Sequence, residues 1–343
     1  MISRTLEKKL LELSDYYPVV VVTGPRQSGK TTLCRMAFPE KPPEPGRFIL
    51  TGSQHFGLSQ AISQSLAGRC GILVLLPPSL EELRDFPNSP EDLFSVLWQG
   101  AYPRIYDQNI PAHQWLADYT ATYVQRDVRQ VINIGDLQVF SGFLKLCAGR
   151  TAQEINLSAV GSDAGVSHNT IRSWLSVLET SYIIHRLPPW HTNIRKQVVK
   201  APKLHFFDSG LACYLLGIRE PDQLYHHPLR GAIFESWVIS EIFKANVHGG
   251  VQPRIFHYRE TRGIEIDLLI EQFEGMDAVE IKSGATVSGD FFKNLERFSD
   301  RLKSAATKHS IRKHVVYGGD NTQQRSKAQV LSWRDVHLLT SHA

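Results

Sequence analysis

Cysteine is scarce and scattered here: Cys34, Cys70, Cys147 and Cys213 are the only four in 343 residues, and no two form a CxxC pair. That spacing excludes a cysteine-based zinc site and a disulfide framework, and it makes a reducing cytoplasm the simplest home. Long apolar runs are missing too. "VVVV" and "GILVLL" fall far short of the roughly 20 residues that a membrane span needs, so they read as buried strands and no membrane partner is expected. The opening "MISRTLEKKLLELSDYYP" carries charges through its apolar positions and has no signal-peptide core. Strong charge bias is absent as well. A net charge of +4 permits contact with nucleic acid without requiring it. Among fourteen histidines there is no HExxH, and no serine sits in a GxSxG elbow, which excludes those zinc-peptidase and serine-hydrolase arrangements.

What is present divides the chain in three. "VVVVTG", "RFILTG" and "CGILVLLP" are β-branched or apolar runs separated by helical segments, the pattern of a parallel α/β sheet over 1–86. From 87 to 197 the periodicity is helical. Over 198–343 the order is helix "GAIFESWVISEIFKAN", strands "RIFHYRE", "EIDLLIE" and "DAVEIKSG", a helical "GDFFKNLERFSDRLKSAA", and strand "KHVVYGG". The predicted fold is therefore α/β: a truncated P-loop parallel-sheet domain, a helical middle with a helix-turn-helix-like segment, and a C-terminal α/β domain.

Residues 24–31, "GPRQSGKT", fit GxxxxGK[ST] between a buried strand and a helix, the context this motif requires. Gly24 and Gly29 let the backbone bend so that its N–H groups face an anion. Lys30 supplies a cation for the β- and γ-phosphates, and Thr31, followed by Thr32, opens the helix with a hydroxyl for Mg²⁺. ATP with Mg²⁺ is the expected ligand. Hydrolysis is not expected, because it needs an acid at the end of a neighbouring strand. "RFILTGSQ" ends in Thr51 and Ser53, "GILVLLPP" ends in prolines, and Glu81 and Glu82 read as a helix start.

"VVVVTGPRQSGKTTL" with "PGRFILTGSQ" and "SLAGR" resembles the prokaryotic AAA-type ATP-binding proteins whose carboxy-terminal half is a nuclease-like domain of unknown function. The resemblance continues through "YVQRDV", "PPW", "APKLHFFDSGLACYLLG" and "FESWV". It implies a longer stretch between the first two blocks, including an acidic strand usually written LDEIQ. In this chain Pro39, Pro42, Pro43 and Pro45 stand there instead, so it looks like an internally shortened member. The resemblance also implies that Thr51 or Ser53 senses the γ-phosphate and that Arg69 acts in trans. An ordinary surface role for Arg69 stands beside the last of these.

In the middle, "NLSAVGSDAGVSHNTIRSWLSVLETSYII" has a helix-turn-helix cadence, with Ser167 capping the second helix. Ile171, Trp174, Leu175 and Leu178 would face the core, and His168, Asn169 and Arg172 would face outward as on a recognition helix. A plain helical hairpin joining two domains is the alternative. Trp115, Tyr119 and Tyr123 recur every four residues and read as packing.

The last domain carries the chemistry. Alternation along a strand puts Glu265 and Asp267 on one face, and Glu280 and Lys282 likewise, with Ile266, Leu268 and Ile281 behind them. Adjacent strands would bring Asp267, Glu280 and Lys282 together, the Asp…Glu-x-Lys pattern of PD-(D/E)XK nucleases. Two hard carboxylates hold Mg²⁺ and the lysine offsets developing charge. The helix residue Glu235 is a candidate further metal ligand. The order α-β-β-β-α-β matches that restriction-endonuclease-like fold, which makes DNA a candidate partner. A scaffold that keeps this fold without activity is the other reading.

Overall fold

The computed structural model describes residues 2–39, 48–52, 69–123, 137–191, 201–260, 263–273, 275–304 and 310–340. Parallel and antiparallel sheets mix with many helices. No helix among these residues is long and apolar enough to cross a membrane. Ser53, most of "SQAISQSLAGR", "YVQRDV" beyond Tyr123 and the basic 192–200 segment lie outside the described residues, whereas Arg69 is exposed at the start of a strand.

Strand β1 (Val19–Thr23) is buried along its whole length, as its valine run demands. It lies between β2 (Phe48–Thr51) and β3 (Cys70–Val74), parallel to both. Helix α1 (Leu6–Tyr16) supplies Leu6 and Leu10 to a core with Val20, Val22, Leu33, Leu73 and Leu75. Gly24 follows β1 with φ +138°, and a Cβ there would stand 2.0 Å from Leu75 O, so only glycine passes. Helix α2 (Lys30–Ala37) starts after Gly29, which is left-handed with φ +91°.

The middle region stacks α3 (Leu80–Leu83), α4 (Leu93–Gln99), α5 (Pro103–Asp107), α6 (Ala112–Thr122), α7 (Leu137–Ala148), α8 (Leu157–Ala164) and α9 (His168–Thr180). Trp115, Tyr119 and Tyr123 are buried, with successive rings stacked at 5.0 and 6.3 Å. Gly165 ends α8 in a left-handed turn, and Ser167 Oγ accepts from Thr170 N at 3.1 Å to cap α9. Ile171, Trp174, Leu175 and Leu178 are buried, while His168, Asn169 and Arg172 are exposed. The helical periodicity conceals a small antiparallel sheet: β4 (Gln153–Glu154), β5 (Ile184–Leu187) and β6 (Lys203–Phe206), in the order β4-β6-β5. Strands of two to four residues are too short to show alternation. The β5–β6 pair straddles the expected division at 197 and places Lys203 within this sheet, paired with Glu154 and Leu187.

Beyond α10 (Ser209–Leu215) and α11 (Pro221–His226), the 19-residue α12 (Arg230–His248) leads into β7 (Ile255–Arg259), β8 (Glu265–Gln272) and β9 (Gly275–Lys282), an antiparallel meander. Helix α13 (Lys293–Ser304) crosses to β10 (Ser310–Tyr317), which runs parallel to β9. Strands β11 (Gln323–Gln324) and β12 (Gln329–Ser332) complete a six-stranded sheet, β11-β12-β10-β9-β8-β7. Leu268, Ile270, Val279 and Ile281 pack with Ile233, Phe234 and Trp237 of α12 on one face. Leu269, Met276 and Ala278 pack with Leu295 and Phe298 of α13 on the other.

A buried polar junction joins the N-terminal sheet to α12. Arg4 donates to Ser28 O at 2.9 Å and Leu76 O at 2.8 Å, and its Nε lies 3.1 Å from Glu82 Oε2. Leu76 N donates to His248 Nε2 at 3.2 Å. Glu82 also closes a capping box with Ser79, which accounts for the helix-start reading of that segment. Burial alone would raise the Glu82 pKa, but His248, Arg4 and two backbone N–H groups hold it down at about 2.

Candidate functional site

The amino end of β8 and the carboxyl end of β9 meet at an irregularity that alternation does not anticipate. Along β7 and β8 the pairs Phe256–Leu269 and Tyr258–Ile266 leave one residue facing two, so Asp267 and Leu268 form a β-bulge. Ile266 and Leu268 consequently pack in different cores, which corrects the expectation that both lie behind one face. The β8–β9 ladder runs to Leu268–Val279. Just beyond it the Asp267 side chain turns toward β9, and its Oδ2 accepts from Ile281 N at 2.8 Å and Lys282 Nζ at 3.2 Å. Lys282 Nζ also donates to Glu280 Oε2 at 2.6 Å. The structure thus brings Asp267, Glu280 and Lys282 together, through a bulge rather than through regular pleating.

Burial sets the electrostatics. Glu280 is enclosed, and burial together with the Asp267 charge pushes its pKa up to about 7 against the pull of Lys282 and Asn294. Its second oxygen, Oε1, is buried with no hydrogen-bond partner at normal distance among the described residues. Burial opposes the Lys282 charge, but Asp267 and Glu280 outweigh it and raise its pKa. Among the described residues no group of three or more His, Cys, Asp or Glu side chains is placed as a ready metal cage. The two carboxylates of Asp267 and Glu280 fit a hard cation such as Mg²⁺, which keeps several waters in its shell.

Glu235, expected as a further ligand, is engaged elsewhere. Its Oε1 accepts from Lys203 Nζ at 3.1 Å, and the same ammonium lies 2.9 Å from Glu265 Oε1. Burial and then Asp267 push the Glu235 pKa up to about 8. Lys203 is the residue that sequence reasoning missed. It is buried at the start of a fully buried strand. A lysine opening the apolar run "KLHFF" is the signal that was available.

At the N-terminal loop, Lys30 Nζ curls back to donate to Gly24 O at 2.9 Å and Pro25 O at 2.5 Å. Burial, reinforced by Arg26, lowers its pKa to about 8. Thr31 and Thr32 are exposed on the first turn of α2. Gly29 and Thr32 border a cavity of about 290 Å³ whose walls include Leu33, Met36 and Phe86. Strand β2 ends at the exposed Thr51, beside Val22.

Residues 90–222 match a domain of unknown function, DUF8612, and residues 230–336 match another, DUF4143. The second is a domain found C-terminal in ATPase-like proteins. Two uncharacterized mycobacterial proteins, Mb2031c of Mycobacterium bovis and Rv2008c of Mycobacterium tuberculosis, are each 27% identical to this chain. Each match covers 89% of this chain and 77% of the relative. The alignments run over 361 residues against a chain of 343, so the relatives carry segments that this chain lacks. A crystal structure of protein VC1899 from Vibrio cholerae aligns over 99% of this chain and 94% of that one, with 10% identity and a TM-score of 0.22. That similarity is too low to bear on the fold. The resemblance to ATPase-like proteins therefore rests on the C-terminal match.

Proposed function

We propose that this chain is a nucleotide-binding protein whose C-terminal unit is a nuclease-like domain acting on DNA with a divalent cation. The observation that carries the reading is the convergence of Asp267, Glu280 and Lys282 where β8 and β9 part, inside the order α12-β7-β8-β9-α13-β10. Mg²⁺ at such a site supplies Lewis-acid polarisation of a phosphodiester and a more acidic attacking water. Asp267 and Glu280 would hold it. Lys282, released from the two carboxylates, would then offset negative charge developing on the phosphate.

The N-terminal loop supports nucleotide binding by the same kind of reasoning. Its turn requires glycine at 24, a helix starts at Lys30, and the lysine ammonium donates to the Gly24 and Pro25 carbonyls, which a phosphate can replace. Nucleotide turnover is not part of the proposal. β2 ends in Thr51, and the residues after β3 are Leu75, Leu76 and two prolines, none of them acidic.

One observation favours a second reading. Lys282 bridges both carboxylates, which is also how a scaffold neutralises charge, so the alternative is a non-catalytic, nucleotide-gated DNA-binding or protein-interaction module. Nicking of supercoiled plasmid separates the two. We expect Mg²⁺- or Mn²⁺-dependent nicking that EDTA stops and that Asp267→Asn or Lys282→Ala lowers by at least about 100-fold. Nicking that survives both substitutions overturns the nuclease reading. No nicking by the wild type, with ATP binding that Lys30→Ala weakens by about 10-fold or more, selects the second reading.

A further inference from the structure

We infer that Lys203 is a built-in cation that limits this site to one exchangeable divalent ion. The inference rests on the reading of Asp267 and Glu280 as a cation site, and it adds how many ions that site takes and which residue sets the number.

The charged groups form a row of two bridged pairs. Lys203 Nζ joins Glu235 Oε1 at 3.1 Å and Glu265 Oε1 at 2.9 Å. Lys282 Nζ joins Asp267 Oδ2 at 3.2 Å and Glu280 Oε2 at 2.6 Å. The Asp267 charge bears on Lys203 and on Lys282, so the pairs are electrostatic neighbours. The two lysines differ in their freedom to leave. The Lys282 side chain is 35% exposed and can turn into solvent when a cation takes its place. The Lys203 side chain is 3% exposed. It would have to leave the oxygens of Glu235 and Glu265 without water to receive it, which a buried ammonium does not do.

Paired metal ions in phosphodiester-cleaving sites lie about 3.5–4 Å apart and share carboxylates. Glu235, whose carboxyl feels the Asp267 charge, and Glu265, which shares Lys203 with Glu235, are the groups a second ion beside Asp267 is expected to use, and both already hold the Lys203 ammonium. Lys203 therefore stands as a permanent positive charge next to the single exchangeable one.

Its anchorage is also informative. Lys203 opens β6, where its backbone pairs with Glu154 and Leu187 of the middle sheet. Glu235 comes from α12 and Glu265 from β8. The site thus includes a residue outside the stretch 230–336, and the middle region contributes to it directly.

Calorimetric titration of the full chain with Mn²⁺ counts the ions. We expect one Mn²⁺ per chain for the wild type, one for Lys203→Arg, none for Asp267→Asn, and two for Lys203→Met, which vacates Glu235 and Glu265. Two ions on the wild type or on Lys203→Arg overturn the inference, and they do so even if Lys203→Met does not fold. One ion of unchanged affinity on folded Lys203→Met also overturns it while leaving the Asp267–Glu280 site standing. No Mn²⁺ on either the wild type or Lys203→Met removes the cation site itself, and the inference with it.

Discussion

Lys244→Met is expected to destabilise the protein by about 3–5 kcal/mol, the usual consequence of stranding one partner of a buried ion pair. Lys244 lies on α12 with its side chain 1% exposed. Its Nζ donates to Glu241 Oε1 at 2.7 Å and to Pro78 O at 3.1 Å. Glu241 Oε2 in turn accepts from Leu80 N at 2.7 Å. The pair therefore ties α12 to the connection that leads out of the N-terminal sheet. Methionine fills the same volume without the charge, leaving the Glu241 carboxylate enclosed and uncompensated. The double substitution Glu241→Gln with Lys244→Met removes both charges, so it should recover a large part of the loss. Urea unfolding of the three variants measures this. A loss below about 1 kcal/mol for Lys244→Met would mean that solvent reaches the pair, as it does for surface ion pairs.

The second large effect is a loss of stability on acidification. Burial holds His185 and His248 down at about 3 and His257 at about 4, and burial with neighbouring charges holds His205 well below the ordinary value. All four stay neutral in the folded state while an unfolded chain protonates them near pH 6.5. Folded pKa values below unfolded ones mean that this stability is complete above about pH 6.5. It drains as pH falls toward the folded values, by about 1.4 kcal/mol per unit for each histidine. Glu235 and Glu280 act in the opposite sense. Their raised values let the folded state take up protons first, so they gain stability as pH falls from about 8 toward 4.5. Asp208, raised by burial, adds to that side. Four histidines against these leave a net loss of stability between pH 6.5 and 4.5.

His185 isolates the effect. Both of its ring nitrogens are buried without a hydrogen-bond partner among the described residues, and its ring lies 4.8 Å from Phe207 and 5.3 Å from Phe243. His185→Phe should therefore stabilise the protein by about 2 kcal/mol at pH 5 and much less at pH 7.5. An equal change at both pH values would show that packing, and not protonation, sets the difference.

The parts of the fold that rest on local pattern were legible in the residues. The valine run, the glycine at 24 and the cap at Ser167 each depend on neighbours a few positions away, and the structure places all three in the elements those patterns imply. The order of helix and strands after α11 was legible for the same reason. What escaped was long-range or irregular. Glu235 and Glu265, the partners of Lys203, lie 32 and 62 positions downstream, so nothing near Lys203 marks it as buried. The bulge at Asp267 was also invisible, because a run of "EIDLLIE" looks the same whether or not one residue is displaced. Alternation predicted a meeting of Asp267 with Glu280 and Lys282, but the route differs: the ladder stops and the aspartate side chain takes over a backbone N–H. Arg4 belongs with these. An arginine in an unremarkable N-terminal segment reaches Ser28, Leu76 and Glu82 only once the sheet has formed.

Crystals of the full chain grown or soaked with Mn²⁺ and a short DNA duplex test the central claim most directly, because manganese can be located by its own anomalous scattering. The account predicts one peak bracketed by the Asp267 and Glu280 carboxylates, with the Lys282 ammonium moved off both of them. No peak at saturating Mn²⁺, with Lys282 still joined to both carboxylates, would contradict it.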